Sequence, residues 1–273
     1  MPRFLIQTDK EVSTVERAAL YLLDEPFERA ALNDLGDFNH DASLCPVGSV
    51  EFVRARIAEL CLPVPKPIDY PFSLSGFFGR YIRLYGDCRL LPPDSFPVFV
   101  KPVVTKAWTG KVLTKDSNLS DLPGLVWISD VVAFKEEFRV YVLKRGTGPA
   151  KILFISRYDE FEDGPESAPP EVVLKANEMI QLFEKEGFEN GGENVRSMHH
   201  PCAYALDLGI TTDGQILLVE VTDAWAAGLY KPASGLFPNY RNDYFDWLYA
   251  RWQQIAAAES LPVCCKTTKG NSL

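Results

Sequence analysis

The chain has 273 residues, of which 47% are hydrophobic and 24% are charged, and its net charge is −9. This length and composition predict one large globular domain or two closely packed ones. The negative average field disfavours nucleic acid as a partner, because it repels a polyphosphate backbone. No segment approaches the roughly 20 consecutive apolar residues of a membrane span, and no signal peptide is evident. We therefore expect a cytoplasmic protein with reduced thiols and no membrane partner.

The first 95 residues predict a small lobe that mixes strands and helices. Phe4 to Thr8 has the composition of a strand, and apolar residues at helical spacing follow over 11–23. The motif Pro46-Val47-Gly48-Ser49 is expected to stop the chain, with Ser49 capping a second helix. We predict an N-terminal α/β lobe over residues 1–95.

Beyond Pro92-Pro93 the pattern changes to strands rich in Val, Ile, Phe and Tyr, separated by Gly or Asp turns. The predicted strands are 97–101, 111–115, 125–134, 137–143, 150–158, 203–210 and 215–222. One helix is predicted from Pro170 to Gly187 and another over 242–257. The rest of the chain, 258–273, is expected to be a flexible tail. The predicted class is α+β, with mixed or antiparallel sheets and flanking helices.

Two acidic residues in the last pair of strands form the most informative pattern. Asp213-Gly214 is typical of a two-residue hairpin turn. Such a turn places Asp207 directly opposite Glu220, about 5 Å apart on one face. Two carboxylates this close in apolar surroundings need a proton or a cation between them, and Mg²⁺ suits oxygen ligands. The alternative is two unrelated acids on an exposed edge hairpin, and a longer loop would shift the pairing.

Two further strands carry charged side chains at suggestive positions. Lys101 ends an apolar strand, where a buried lysine needs an anion, although lysines at strand ends are often simply exposed. Alternation places Phe138 on the core face and Glu137 with Arg139 on the other. Arginine can bind a phosphate or a carboxylate through two parallel hydrogen bonds, but an intrastrand ion pair is an equal alternative. No phosphate-binding glycine loop and no nucleophilic triad occurs.

In order along the chain, these motifs resemble the ATP-grasp superfamily. The strand 98–102 is similar to its phosphate-binding lysine strand, 128–134 to the hinge strand that binds adenine, and 137–139 to the acid and arginine that follow. Asp207 and Glu220 stand where that family has its metal carboxylates. Segments 46–53 and 220–230 resemble, more narrowly, a poorly characterised ATP-grasp group of bacteria and phages.

The resemblance implies an ATP-grasp fold, with a pre-ATP-grasp-like lobe over 1–95 and the nucleotide-binding domain over 96–257. It implies ATP and Mg²⁺ as cofactors. It assigns Lys101 and Lys111 to the ATP phosphates, the backbone of Asp130, Val131 and Val132 to adenine, Glu137 to the ribose, Arg139 to the γ-phosphate or an acyl phosphate, and Asp207 and Glu220 to the metal.

The implied activity is an ATP-dependent carboxylate–amine ligase acting through an acyl phosphate on a small-molecule, peptide or protein substrate. Alternatives are an ATP-grasp kinase and a nucleotide-binding module without catalysis. Two departures from the family pattern bear on activity. The family commonly has Asn where this chain has Thr222, so Asp223 is the expected replacement metal ligand. The connection Trp108-Thr109-Gly110 is also poor in glycine.

Overall fold

A computed structural model of the chain describes residues 3–9, 14–21, 26–38, 41–158, 167–191, 200–233 and 235–258. Its strands are β1 Phe4–Gln7, β2 Phe27–Ala30, β3 Cys45–Val47, β4 Ile82–Tyr85, β5 Val98–Pro102, β6 Lys111–Leu113, β7 Val126–Ser129, β8 Phe134–Leu143, β9 Lys151–Arg157, β10 Ala203–Thr211 and β11 Ile216–Asp223. Its α-helices are α1 Thr14–Tyr21, α2 Val50–Glu59, α3 Pro170–Gly191 and α4 Tyr240–Ala256. Among the described residues, no helix is long and apolar enough to cross a membrane.

The N-terminal residues form a parallel sheet in the order β2-β1-β3. The motif predicted to stop the chain instead forms β3, because Cys45 and Val47 pack into the core at 2% exposure each. Ser49 caps α2 as predicted, accepting the Phe52 N–H at 3.2 Å. Gly48 joins β3 to α2, and an added Cβ there would lie 2.7 Å from the Gln7 side chain. The first turn of α2 is therefore held against β1.

A second sheet, in the order β4-β7-β5-β6, is antiparallel. The segment predicted as one strand over 125–134 divides into β7 and the start of β8, leaving 130–133 as a connection. Strand β4 was not predicted, and its pairing with β7 brings residues 82–85 into the same sheet as β5. The division of the chain at residue 95 stays a prediction.

The third sheet, in the order β11-β10-β8-β9, has a hydrophobic layer on each face. Phe138, Val140 and Val142 pack in one buried cluster with α3 residues, as the alternation predicted. The opposite face is covered as well, since Tyr141 packs in a second cluster with Trp247 of α4. Polar residues on that face, including Arg139, are therefore enclosed rather than solvated.

Helix boundaries largely follow the sequence pattern. Helix α3 continues to Gly191, past the predicted end at Gly187, and α4 covers Tyr240–Ala256 against a predicted 242–257. Of the predicted helix 11–23, residues 14–21 are described and are helical. Residues 259–273 of the predicted tail lie outside the described residues.

The turn between β10 and β11 is one residue longer than predicted. The Thr211 N–H donates to the Gln215 carbonyl at 2.9 Å, and the Gly214 N–H donates to the Thr211 carbonyl at 2.9 Å. Gly214 has φ +85°, the left-handed conformation that closes a three-residue hairpin loop. The strands therefore begin with Ile210 opposite Ile216, and the two-residue turn was a wrong prediction.

A bulge corrects the register before the acidic pair is reached. Leu208 pairs with Leu218, but Asp207 pairs with Glu220, so Val219 is the extra residue on β11. The loop adds one residue and the bulge removes its effect. The predicted opposition of Asp207 and Glu220 is confirmed, although the turn that predicted it is not the one present.

Candidate active site

A cleft of about 400 Å³ lies where strand β5, the connecting segment 66–69 and strand β11 meet. Its lining includes Lys101, Glu137, Glu220 and Thr222, together with the connection 108–110. Strand β5 delivers Lys101 from the second sheet and β11 delivers Glu220 from the third. The cleft therefore lies between two sheets that belong to different layers.

Lys101 is held by two carboxylates inside this cleft. Its ammonium contacts Asp69 Oδ1 at 2.5 Å and also Glu220 Oε2, and its side chain is only 14% exposed. Burial opposes the charge, but the carboxylates of Glu220 and Asp69 outweigh burial and raise the pKa of Lys101. The lysine is thus a fixed positive charge, as expected for one that ends an apolar strand.

Asp69 was not predicted from the sequence. Its second oxygen accepts the Trp127 indole N–H at 2.9 Å, and its backbone carbonyl accepts the Val221 N–H at 2.8 Å. Its φ is +46°, a conformation that is uncommon outside glycine and frequent at functional sites. The only sequence signal is an acid directly after the Pro-rich run 62–67, and that signal does not say which element the acid will meet.

Glu220 and Asp69 respond differently to the shared ammonium. Burial alone would raise the pKa of Glu220, but Lys101 outweighs burial and lowers that pKa. For Asp69 burial wins and the pKa is raised. Thr222 donates its hydroxyl to Glu220 Oε1 at 3.1 Å, so the residue that stands in place of the family's Asn orients the acid. Glu220 is therefore the more firmly ionised partner.

Asp207 faces Glu220 across the hairpin but is bound to a different cation. Arg139 Nε and Nη2 donate to its two carboxylate oxygens at 2.8 and 2.6 Å. Arg139 lies between the rings of Tyr158 and Tyr230, at 5.4 and 5.1 Å from their centroids. Both charged side chains are at most 7% exposed. The pair is enclosed, in contrast to Lys101.

Asp223 is also bound to an arginine. Arg251 of α4 donates from Nε and Nη2 to its two oxygens at 2.8 and 2.6 Å, and Arg251 is fully buried. This pair ties the end of β11 to α4. The arrangement gives Asp223 a structural task that the sequence did not reveal.

The other predicted residues divide between the cleft and its outside. Glu137 lines the cleft and is hydrogen-bonded to the Tyr158 side chain. Lys111 is exposed and pairs with Val100, so it lies on the opposite sheet face from Lys101. Asp130, Val131 and Val132 form the connection after β7, outside the cleft lining, where Asp130 accepts the Tyr81 N–H at 2.9 Å. The structure thus brings Lys101, Glu137 and Glu220 together, and keeps the segment 130–132 and Lys111 apart from them.

The acids of the cleft suit a hard cation in part. Glu220 and Asp69 already share one positive charge, the Lys101 ammonium, which occupies the position a metal ion would need. Within the described residues there is no group of three or more His, Cys, Asp or Glu that could hold a metal ion. A divalent ion would therefore depend on these two carboxylates and on the oxygens of a bound phosphate.

Solved structures with a similar fold include two ligases and a synthetase. An L-amino acid ligase from Bacillus licheniformis is 15% identical with a TM-score of 0.50, covering 94% of this chain and 74% of its own. A D-alanine–D-alanine ligase from Bacillus anthracis, complexed with ATP, is 13% identical with a TM-score of 0.50, covering 92% and 94%. An N5-carboxyaminoimidazole synthetase from Staphylococcus aureus is 9% identical with a TM-score of 0.51, covering 90% and 70%. These similarities show the fold.

Among curated proteins, none matches the chain. Residues 77–237, more than half of the sequence, match the model of an ATP-grasp domain family, the second family of its clade. The matched region contains Lys101, Arg139, Asp207 and Glu220, but it excludes Asp69. The chain therefore belongs to the ATP-grasp domain proteins, within this second family of the clade.

Proposed function

We propose that this ATP-grasp protein is an ATP-dependent carboxylate–amine ligase. The observation that carries the proposal is the buried Lys101 ammonium in the cleft, held by two carboxylates that a cation could take over. An anion such as a nucleotide phosphate could then bind the released lysine. Family membership supports ATP as that nucleotide.

The side chains of the cleft suggest specific roles. Lys101 would contact the phosphates, Glu137 the ribose, and Glu220 with Asp69 would hold a magnesium ion. When bound, this ion would neutralise phosphate charge during transfer. Asp207 would act by fixing Arg139. The backbone of 130–132 as adenine contact and Lys111 as a second phosphate contact both need movement from the arrangement described.

The chemistry requires no side-chain nucleophile. A substrate carboxylate oxygen attacks the γ-phosphorus, and the bond to the β-phosphate oxygen breaks as ADP leaves with its electron pair. An amine then attacks the acyl carbon, loses a proton, and inorganic phosphate leaves, so that an amide forms. The protein contributes positioning and charge neutralisation, as a cleft of fixed charges can.

The test is an ATPase screen with magnesium, in which amino acids and short peptides are offered as carboxylate and amine donors. We expect ADP and inorganic phosphate to appear together with an amide found by mass spectrometry. A stable phosphorylated product without released phosphate would instead identify a kinase. Nucleotide binding without turnover, under every substrate mixture, would support the non-catalytic alternative. The Glu28→Gln variant, which removes one exposed charge in the N-terminal lobe, is the control for variants of the cleft.

A further inference from the structure

A second cavity, of about 370 Å³, adjoins the cleft on the side of the N-terminal lobe. It is lined by Glu16 of α1, the start of α2 at 48–50, Arg139 and the segment 225–228. Lys106, Trp225 and Ala226 line both cavities. The two spaces therefore meet along a common edge formed by these three residues.

Glu16 is a buried acid with one oxygen left over. Its Oε1 accepts the Leu229 N–H at 3.2 Å and the Tyr244 hydroxyl, and its residue is 6% exposed. Among the described residues no hydrogen bond uses Oε2. Burial raises the pKa of Glu16, so the site spends stability to keep an acid where a glutamine would satisfy the same two donors.

The nearest cation does not satisfy Glu16. Arg139 also lines this cavity, but two of its nitrogens are committed to Asp207. The third, Nη1, contacts the Gly228 carbonyl at 3.5 Å. A buried carboxylate oxygen without a partner in a cavity is completed by a ligand cation, and a primary ammonium, with three donors, fits it.

The opposite end of the cavity favours an anion. The Val50 N–H, at the first position of the ten-residue helix α2, has no intrahelical partner, and the helix dipole adds positive potential there. The Lys106 ammonium stands at the edge shared with the cleft. The indole Nε1 of Trp225, also on that edge, is a buried donor without a partner among the described residues.

We propose that the second cavity binds a zwitterionic α-amino acid, with its ammonium on Glu16 Oε2 and its carboxylate at the edge shared with the cleft. This inference rests on the proposed ligase function and gives the ligand its place in the reaction. An amine held by Glu16 stays protonated and is not the nucleophile. The bound amino acid is therefore the carboxylate donor. Its carboxylate oxygen attacks the γ-phosphorus, ADP leaves, and the resulting acyl phosphate carries a free ammonium into the amide product.

Ligand chemistry tests the proposal without any mutation. The wild-type protein is titrated with the proteinogenic amino acids and with their N-acetyl derivatives, using ligand-observed NMR and calorimetry, with and without Mg-ADP. We expect one amino acid or a related group to bind, and N-acetylation to weaken binding by about tenfold to a hundredfold, since a charged hydrogen bond is lost. Equal binding of the acetylated and free forms would overturn the proposal, and so would no binding at millimolar concentrations.

Two variants sharpen the result. Glu16→Gln keeps the Oε1 acceptor for Leu229 and Tyr244 but loses the negative charge, so it should reproduce the about tenfold to hundredfold loss for the free amino acid. Glu28→Gln should bind like the wild type. Mg-ADP binding is measured on the same samples. If wild type binds no nucleotide, the proposed function fails. If nucleotide binds and Glu16→Gln binds the amino acid as tightly as wild type, only this inference fails.

Discussion

Two buried clusters of opposite charge lie on either side of the β10–β11 hairpin, and they differ in what they leave open. Arg139 and Asp207 match two nitrogens to two oxygens, and neither side chain exceeds 7% exposure. Lys101 offers one ammonium to Asp69 and Glu220, whose side chains are 14% and 24% exposed and line the cleft. The first cluster is closed by its geometry and the second is open to a ligand.

The difference follows from the two kinds of cation. A guanidinium is a planar fork whose donors are used up by one carboxylate, so Arg139 and Asp207 leave each other few free positions. An ammonium is a point charge that can exchange partners without breaking a matched geometry. Opposed acids across one hairpin therefore serve two purposes. Asp207 fixes the framework, and Glu220 remains available for binding.

Breaking the closed cluster should have the largest effect. Asp207→Asn leaves the buried Arg139 charge unpaired, and we expect it to lower the free energy of unfolding by about 3–5 kcal/mol. Urea unfolding followed by circular dichroism measures this loss. The double variant Arg139→Met with Asp207→Leu removes both charges and should recover much of the stability. A loss under about 1 kcal/mol in Asp207→Asn would mean that the cluster is not the closed framework described.

Removing the charge of Glu220 should leave the fold and damage activity. We expect Glu220→Gln to lower ATP-dependent turnover by about 10²–10³-fold, which corresponds to losing one charge-stabilising contact at the reacting phosphate. Its stability should change by about 1 kcal/mol or less, because Lys101 keeps Asp69 as a partner. Turnover and urea unfolding are measured on the same preparation. Turnover equal to that of Glu28→Gln would exclude Glu220 from the reaction.

Asp69 should oppose nucleotide binding in the absence of metal. Its carboxylate holds Lys101 and repels phosphate, so Asp69→Asn should tighten ATP binding by about fivefold, or ~1 kcal/mol, when magnesium is removed. A fluorescent ATP analogue titrated in the presence of a chelator measures the effect. Weaker binding under these conditions would show that Asp69 prepares Lys101 for the phosphate instead of competing with it.

The sequence predicted most of the strands, because their alternation and apolar runs reflect burial that neighbouring residues share. It missed β3 and β4, which are short and whose stability depends on pairing with distant strands. The hairpin shows why register is harder to predict. A longer loop and a bulge at Val219 cancel, and neither leaves a pattern as strong as Asp213-Gly214. The correct pairing of Asp207 with Glu220 therefore came from two compensating departures.

The site was predictable where one strand supplies the argument and not where elements meet. Lys101 and Glu220 lie on strands whose patterns single them out. Asp69 and Glu16 come from a connector and a helix, and only the folded chain places them near the cleft and the second cavity. The arginine partners of Asp207 and Asp223 were likewise invisible, since their choice depends on how β8 and α4 dock.

Glu16 offers a smaller test, because it is a buried acid near Arg139 but outside both clusters. Its pKa is raised by burial, although Tyr244, the Leu229 N–H and Arg139 oppose that shift. The folded state therefore holds a proton that the unfolded chain releases, and stability falls as pH rises from the unfolded pKa to the folded one. Glu16→Gln removes this dependence. We expect its stability relative to wild type to be greater at about pH 8 than at about pH 4.

Urea unfolding at the two pH values, with Glu28→Gln as the exposed control, measures this difference. A purely structural acid, ionised and satisfied by its neighbours, would give the opposite sign, because the wild type would then gain stability as pH rises. A Glu16→Gln variant that grows more stable relative to wild type, yet binds amino acid more weakly, would show that the fold keeps this acid for its ligand. Such a result would set Glu16 beside Glu220 as an available charge and apart from Asp207.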